Sequence, residues 1–185
     1  MANQEVLAGE WDIDPTHTRI GFSARHAMVT KVRGAFNDVA GHVFVNPDDP
    51  TDARVEVRVQ LASIDTRNQQ RDEHLRSADF FDTEHYPEMV FTADTIDEVE
   101  EQNYVVVGEL TLRGITRPLT LPLALTGLER DPSGALRAGL EGTRRITRKE
   151  WGIEWNTPLD SGGVLVSDKI TLEFELSLVK REQHV

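Results

Sequence analysis

Apolar and polar residues alternate along most of this chain, with a repeat of two. The clearest run is DARVEVRVQLASID. There Val55, Val57, Val59 and Leu61 share one face, and Arg54, Glu56, Arg58 and Gln60 share the other. A period of two is the signature of a strand with one face in a core and one in water. TRIGFSARH repeats it, with Ile20, Phe22, Ala24 and His26 on one side. VRGAFNDVAGHVFVN, residues 32–46, carries glycines at 34 and 41; inside strands these predict a bulge or a bend. YVVVGELTLRG groups Tyr104, Val106, Leu110 and Leu112, and RPLTLPLALTGLE groups Leu119, Leu121, Leu123 and Leu125. Pro118 and Pro122 mark the latter strand as an edge or irregularly paired one, because proline has no N–H to donate. SDKITLEFELSLVKR sets Ile170, Leu172, Phe174, Leu176 and Leu178 against Lys169, Thr171, Glu173, Glu175 and Ser177. With GEWDID, EMVFTADTIDEVE and LRAGLEGTRRITRKEWG, these runs predict about eight long strands.

One segment breaks the alternation: TRNQQRDEHLRSADFFDTEHYPEMVF, residues 66–91. Thr66 followed by Gln69 fits a capping box, and NQQRDEHLRS contains no Pro, Gly or β-branched residue. A capped helix over 66–77 is predicted, lying over the sheet or across a barrel end. Its only large apolar residue is Leu75. Phe80 and Phe81 anchor its return. Pro87 holds Tyr86 extended and leads into the next strand.

The fold class follows from the connections. Strands do not alternate with helices, so a parallel doubly wound sheet is excluded. Sequential strands with one apolar face form antiparallel hairpins, and closing the sheet removes its edges. The expectation is all-β: an eight-stranded antiparallel up-and-down barrel with one short helical insertion. It occupies 1–185 as a single domain, with polar termini fraying at 1–8 and 181–185. A ten-residue strand spans about 33 Å, which at a tilt of about 40° leaves roughly 25 Å of axial length. Such a tube suits an elongated apolar molecule.

Composition narrows the chemistry. The net charge of −12 argues against a nucleic-acid surface and against docking on anionic lipid through a basic patch. The chain has no cysteine, which removes disulfides, thiolate nucleophiles and Cys-ligated metals. MANQEVLAGEWDIDP has neither a basic n-region nor an apolar h-region, so a cytoplasmic location is expected. No apolar run approaches the roughly 20 residues of a membrane helix, so stable membrane insertion is not expected. H-x-x-x-H, H-E-x-x-H, G-x-S-x-G, Walker A and G-x-G-x-x-G are all absent, and no metal, cofactor or catalytic residue is assigned. His74 and His85 read as surface or cap hydrogen-bonding groups. His26 continues an apolar face and reads equally as a hydrogen-bonded barrel-end histidine or a contact for a ligand head. One of Arg144 and Arg148 could point inward, and a buried arginine would need a carboxylate or an anionic ligand group.

WDIDPTHTRIGFSARHAMVTKVRGAF, RDEHLRSADFFDTEHYPEMVF, GELTLRGITRPLTLPL and ITRKEWGI, in that order from Trp11 to Ile153, resemble the YceI-like proteins. HLRSADFFDTEHYPEM is the most specific block. The resemblance implies a lipocalin-like barrel that holds a long apolar chain in its pore. Family members are known as polyisoprenoid-binding proteins. Ubiquinone-like isoprenoids and fatty-acid amides are also associated with them, many are periplasmic, and they are often dimeric. This chain departs in lacking a signal peptide. The expected partners are therefore a long-chain apolar small molecule, an isoprenoid or quinone, and a second copy in a homodimer.

Phe22, Phe36, Val57, Val59, Phe91, Val106, Leu110, Leu112, Leu123 and Phe174 are the candidate pore residues, and His26 and Arg148 the candidate head-group contacts. An ordinary filled core would use the same ten apolar residues. Two other readings stay open. One is an enzyme using the cavity for hydrolysis, isomerisation or cyclisation through an inward acid–base pair such as His26 and Asp94. The other is a structural module with a filled barrel.

Overall fold

The computed structural model describes residues 7–182. Eleven strands are present among them: β1 Gly9–Ile13, β2 Arg19–His26, β3 Thr30–Phe36, β4 Val39–Val45, β5 Asp52–Gln60, β6 Ile64–Asp65, β7 Glu88–Glu100, β8 Asn103–Leu112, β9 Ile115–Arg130, β10 Leu136–Thr147 and β11 Lys169–Lys180. One α-helix, α1, spans Gln69–Arg76. No helix of the described residues is long and apolar enough to cross a membrane.

The sheet closes. β1, β4, β5, β7, β8, β9, β10 and β11 pair in that order, and β11 returns to β1. Every pairing is antiparallel. The three remaining strands fit the same eight-stranded plan, because β1–β2, β3–β4 and β5–β6 are each one long strand bent in the middle. The bends lie level with one another. Trp11 pairs Val43 on one side of the first bend and Ile20 pairs Phe36 on the other. Val39 pairs Val59 and Phe36 pairs Ile64 across the next. At this corner a 3-10 turn, Leu61–Ser63, separates β5 from β6, and Leu61 and Ile64 are almost fully buried.

The inward faces are those the alternation predicts. Val55, Val59, Val106, Leu110, Leu119, Leu121 and Leu123 are buried, while Arg54, Glu56 and Arg58 are exposed. The glycines differ from expectation. Gly34 and Gly41 sit in unbroken register opposite Phe22 and Val57. A side chain at Gly34 would collide with the Phe22 ring, and one at Gly41 with Ile13. They permit close approach inside a strongly curved wall. The bulges lie elsewhere, between Asp52 and Val55, Ala93 and Thr95, Glu98 and Glu100, and Gly139 and Leu140.

The helix starts later than the sequence predicts. Asn68 is its N-cap, accepting from Arg71 N–H at 3.0 Å. Thr66 is buried instead against the helix: its N–H donates to Asp72 at 2.9 Å, and its hydroxyl accepts from Arg71 Nε at 2.8 Å. Asn caps as well as Thr, and the left-handed Arg67 (φ 62°) turns Thr66 inward. Phe80 is buried, Phe81 packs edge-on to Phe36 at 5.8 Å, and β7 begins directly after Pro87. Residues 1–6 and 183–185 of the expected frayed termini lie outside the described residues. Just inside them, Leu7 is buried and Arg181 pairs with Asp12 at 2.7 Å.

Candidate binding cavity

The inward faces do not meet at the barrel axis. They leave a cavity of about 220 Å³, lined by Phe22, Phe36, Val57, Val59, Phe91, Val106, Leu110, Leu112, Leu123 and Phe174 among others. A single water needs about 10–15 Å³ by this measure, so the space is a chamber and not a packing defect. All ten expected pore residues therefore line one cavity. The wall also includes Ile20, Leu119, Leu121, Ile170, Leu172 and Leu176. Arg148 is the one charged side chain on it among the described residues.

Arg148 is 4% exposed, and its partners are neither an acid at hydrogen-bond distance nor an open space for an anion. Nε donates to Ser167 O at 3.0 Å, Nη1 to Ile153 O at 2.9 Å and Nη2 to Val166 O at 3.4 Å. The nearest carboxylate, Asp168, is 3.7 Å away. Burial lowers the Arg148 pKa, and Asp168 opposes that shift. The guanidinium thus gathers the carbonyls of the 153–168 loop and folds that loop over the barrel end. Arg144 is exposed and donates to Thr120 O.

A second cleft of about 500 Å³ lies outside this end. It shares Ala24, Leu75, Phe80 and Val166 with the inner cavity, so the two spaces lie on either side of these four residues. Its rim holds Arg25, His26, Arg71, His74 and Trp155. His26 is exposed, and its backbone bridges Val166 where β2 leaves the wall. It lines the cleft and not the inner cavity. Over the junction His74 packs edge-on against Phe80 and Trp155, which are tilted to each other, with ring centroids 4.6–5.3 Å apart. His74 Nε2 bonds Asp79 at 2.8 Å, which fixes the ring. Sequence reading missed Leu75, Trp155 and Val166 as lining residues. The first is the helix's lone apolar residue; the other two sit in a loop with no periodicity.

The structure does not bring His26 and Asp94 together. Asp94 is exposed on β7, accepts from the Thr95 hydroxyl and lines neither space. His85 is likewise exposed and bonds Asp82 at 2.9 Å, which raises its pKa.

The sequence from 11 to 178 matches the YceI-like domain. The chain belongs to the YceI-like family. A UPF0312 protein of Photorhabdus laumondii is 39% identical over 143 residues, 77% of this chain and 74% of its own length. Among solved structures, Burkholderia cenocepacia BcnA superposes with a TM-score of 0.77 at 20% identity, covering 89% of this chain and 98% of that one. A polyisoprenoid binding domain from Saccharophagus degradans, implicated in plant cell wall breakdown, superposes at 0.70 with 15% identity, covering 92% and 98%. These two likenesses concern the fold. Within this YceI-like chain the most specific sequence block, 74–89, supplies two of the three rings over the barrel mouth, His74 and Phe80.

Proposed function

We propose that this barrel binds one long-chain apolar molecule, a polyisoprenoid or isoprenoid quinone, and sequesters or carries it. The observation that carries this reading is the cavity wall: apolar side chains from around the barrel, with Arg148 already occupied by carbonyls. Such a wall has little to offer a polar metabolite. It gains about 0.8 kcal/mol for each CH₂ it takes from water. Several isoprene units offset the cost of ordering and association without many polar contacts.

The inner space of about 220 Å³ is below the roughly 300–1,000 Å³ of common ligand sites, and the adjoining outer cleft of about 500 Å³ lies within that range. A thin chain in the barrel and a bulkier head in the cleft fit that division. The polyisoprenoid-binding domain of S. degradans has the same fold, which is in keeping with this reading.

Organic extraction of protein purified from its native host, followed by mass spectrometry, tests it. A long apolar molecule should be released, and the stripped protein should take up a polyprenol again. A clean extract together with no uptake of prenyl ligands would overturn the proposal.

A further inference from the structure

Two hairpin tips stand side by side at the rim of the outer cleft. The first joins β2 to β3 through Ala27, Met28 and Val29. The second is a small hairpin over 158–164, closed by Leu159 N–H to Gly163 O at 2.8 Å. The tips are joined by Ala27 N–H to Leu165 O at 2.7 Å, and Met28 packs over Gly163. Met28 is 62% exposed, Val29 77% and Val164 37%. Among the described residues Tyr86, Val99 and Val107 are also exposed, but none is as open as Met28 or Val29.

The turn is also the wrong composition for its shape. Ala27 and Met28 both adopt left-handed backbone, with φ of 51° and 65°. Such turns favour Asn and Gly, which would have been both easier and more soluble here. Met28 rests on Gly163, but Val29 at the same tip is left to water and gains little from packing.

The flanking charges point the same way. Arg25 and Lys31 stand directly opposite each other across the hairpin, and Arg33 follows on the same outer face. Like charges in cross-strand register repel. Among the described residues none of these three has a carboxylate within 4.0 Å, although the chain as a whole is acidic. Asp160 is the one acid on the two tips. DEVEE over 97–101 and DD at 48–49 lie at the opposite end of the barrel, while the helix and the 153–168 loop carry the acids of the mouth end.

We infer that these tips dock the barrel mouth onto an anionic lipid bilayer. Met28 and Val29 enter the headgroup layer, while Arg25, Lys31 and Arg33 face its phosphates. This rests on the proposed apolar ligand, which then moves between bilayer and cleft without crossing open water. The overall charge repels such a surface, but at physiological salt the repulsion fades over about 8 Å. The acids at 48–49 and 97–101 are kept further away than that when the tip points down.

Flotation with vesicles of phosphatidylcholine containing about one-third phosphatidylglycerol tests the contact. The full chain is compared with Met28→Asp/Val29→Asp and with Lys31→Glu/Arg33→Glu. Aspartate tolerates the left-handed backbone at 28, so the fold is retained. Uptake of a polyprenol diluted from ethanol, without vesicles, is measured in parallel. The expected result is flotation of the wild type, weaker on phosphatidylcholine alone, reduced roughly tenfold or more in both variants, with uptake from ethanol unchanged. No flotation of the wild type, or equal flotation of the variants, overturns the inference. So does a concentration-dependent dimer, broken by the aspartates, in a protein that does not float, because the tip would then serve a second copy. Flotation with no polyprenol uptake supports the lipid contact and sinks the ligand reading alone.

Discussion

The Arg144 guanidinium donates from Nε to the carbonyl of Thr120 at 3.0 Å, across a gap where β9 and β10 no longer form a ladder. Their pairing stops at Glu141 and Ala124, although β9 runs back to Ile115 and β10 on to Thr147. Pro118 and Pro122 share parity with Thr120. The N–H groups they lack are therefore the ones that would have faced β10. A side chain spans the seam where the backbone cannot. Arg144→Ala should cost about 1 kcal/mol, the net worth of a typical hydrogen bond. It should also speed hydrogen exchange over 115–123 more than over 104–112. Equal exchange in the two stretches would mean that packing, not Arg144, holds the seam.

Arg148 acts through the loop it holds. Replacing it with Met leaves the carbonyls of Ile153 and Ser167 without their side-chain donor, while Val166 O keeps Asn156 Nδ2 at 2.8 Å, and the loss should be about 3 kcal/mol. Lysine should restore little, because an ammonium cannot span three carbonyls as a planar fork does. Urea midpoints report the stability, and protease nicking within 153–168 reports the loop. A Met variant that keeps the wild-type midpoint and resists protease would remove Arg148 from this role.

Phe22, Val57 and Phe174 were legible as cavity residues because alternation fixes which face of a strand turns inward. His26 shows the limit of that rule. It has the parity of Phe22, but β2 ends there, so parity no longer says what the side chain meets. Glycine raised a similar ambiguity, since a bulge and a close approach leave the same mark in sequence; only the positions of Ile13 and Phe22 decide. The capping-box pattern points to Thr66, but Asn68 offers an equally good oxygen two residues later and takes the role. Trp155 and Val166 were out of reach altogether. Their place at the mouth depends on Arg148 collecting carbonyls from a loop with no pattern of its own.

The cavity makes the ligand reading testable by filling it. Val57 is half-buried and faces the chamber. Val57→Phe adds a ring to open space, so stability should hold or rise by about 1 kcal/mol instead of falling as in a packed core. Affinity for a long polyprenol should fall tenfold or more, read by displacement of a fluorescent prenyl probe. A short prenyl chain confined to the outer cleft should be much less affected. Unchanged long-chain affinity would place the ligand outside the barrel.

Stability in acid depends on a carboxylate pair at the other end of the barrel. Asp14 accepts from the Thr16 hydroxyl at 2.7 Å, from Arg137 Nη1 at 2.8 Å and from its neighbour His17 at 2.8 Å. Asp131 accepts from Ser133 and from Arg137 Nε. These bonds, the Ser and Thr hydroxyls first, hold both carboxyls well below the usual range. A carboxyl depressed in the folded state contributes fully above its unfolded pKa, near 4, and that contribution disappears as pH falls toward the folded value. Melting temperature should therefore vary little from about pH 7 to 5 on this account and drop below about pH 4. Asp14→Asn should melt lower at neutral pH and show a shallower acid slope. Because both acids share Arg137, Asp131→Asn on top of Asp14→Asn should cost a different amount than it does alone. An acid slope in Asp14→Asn as steep as the wild type's would assign the loss to other carboxylates.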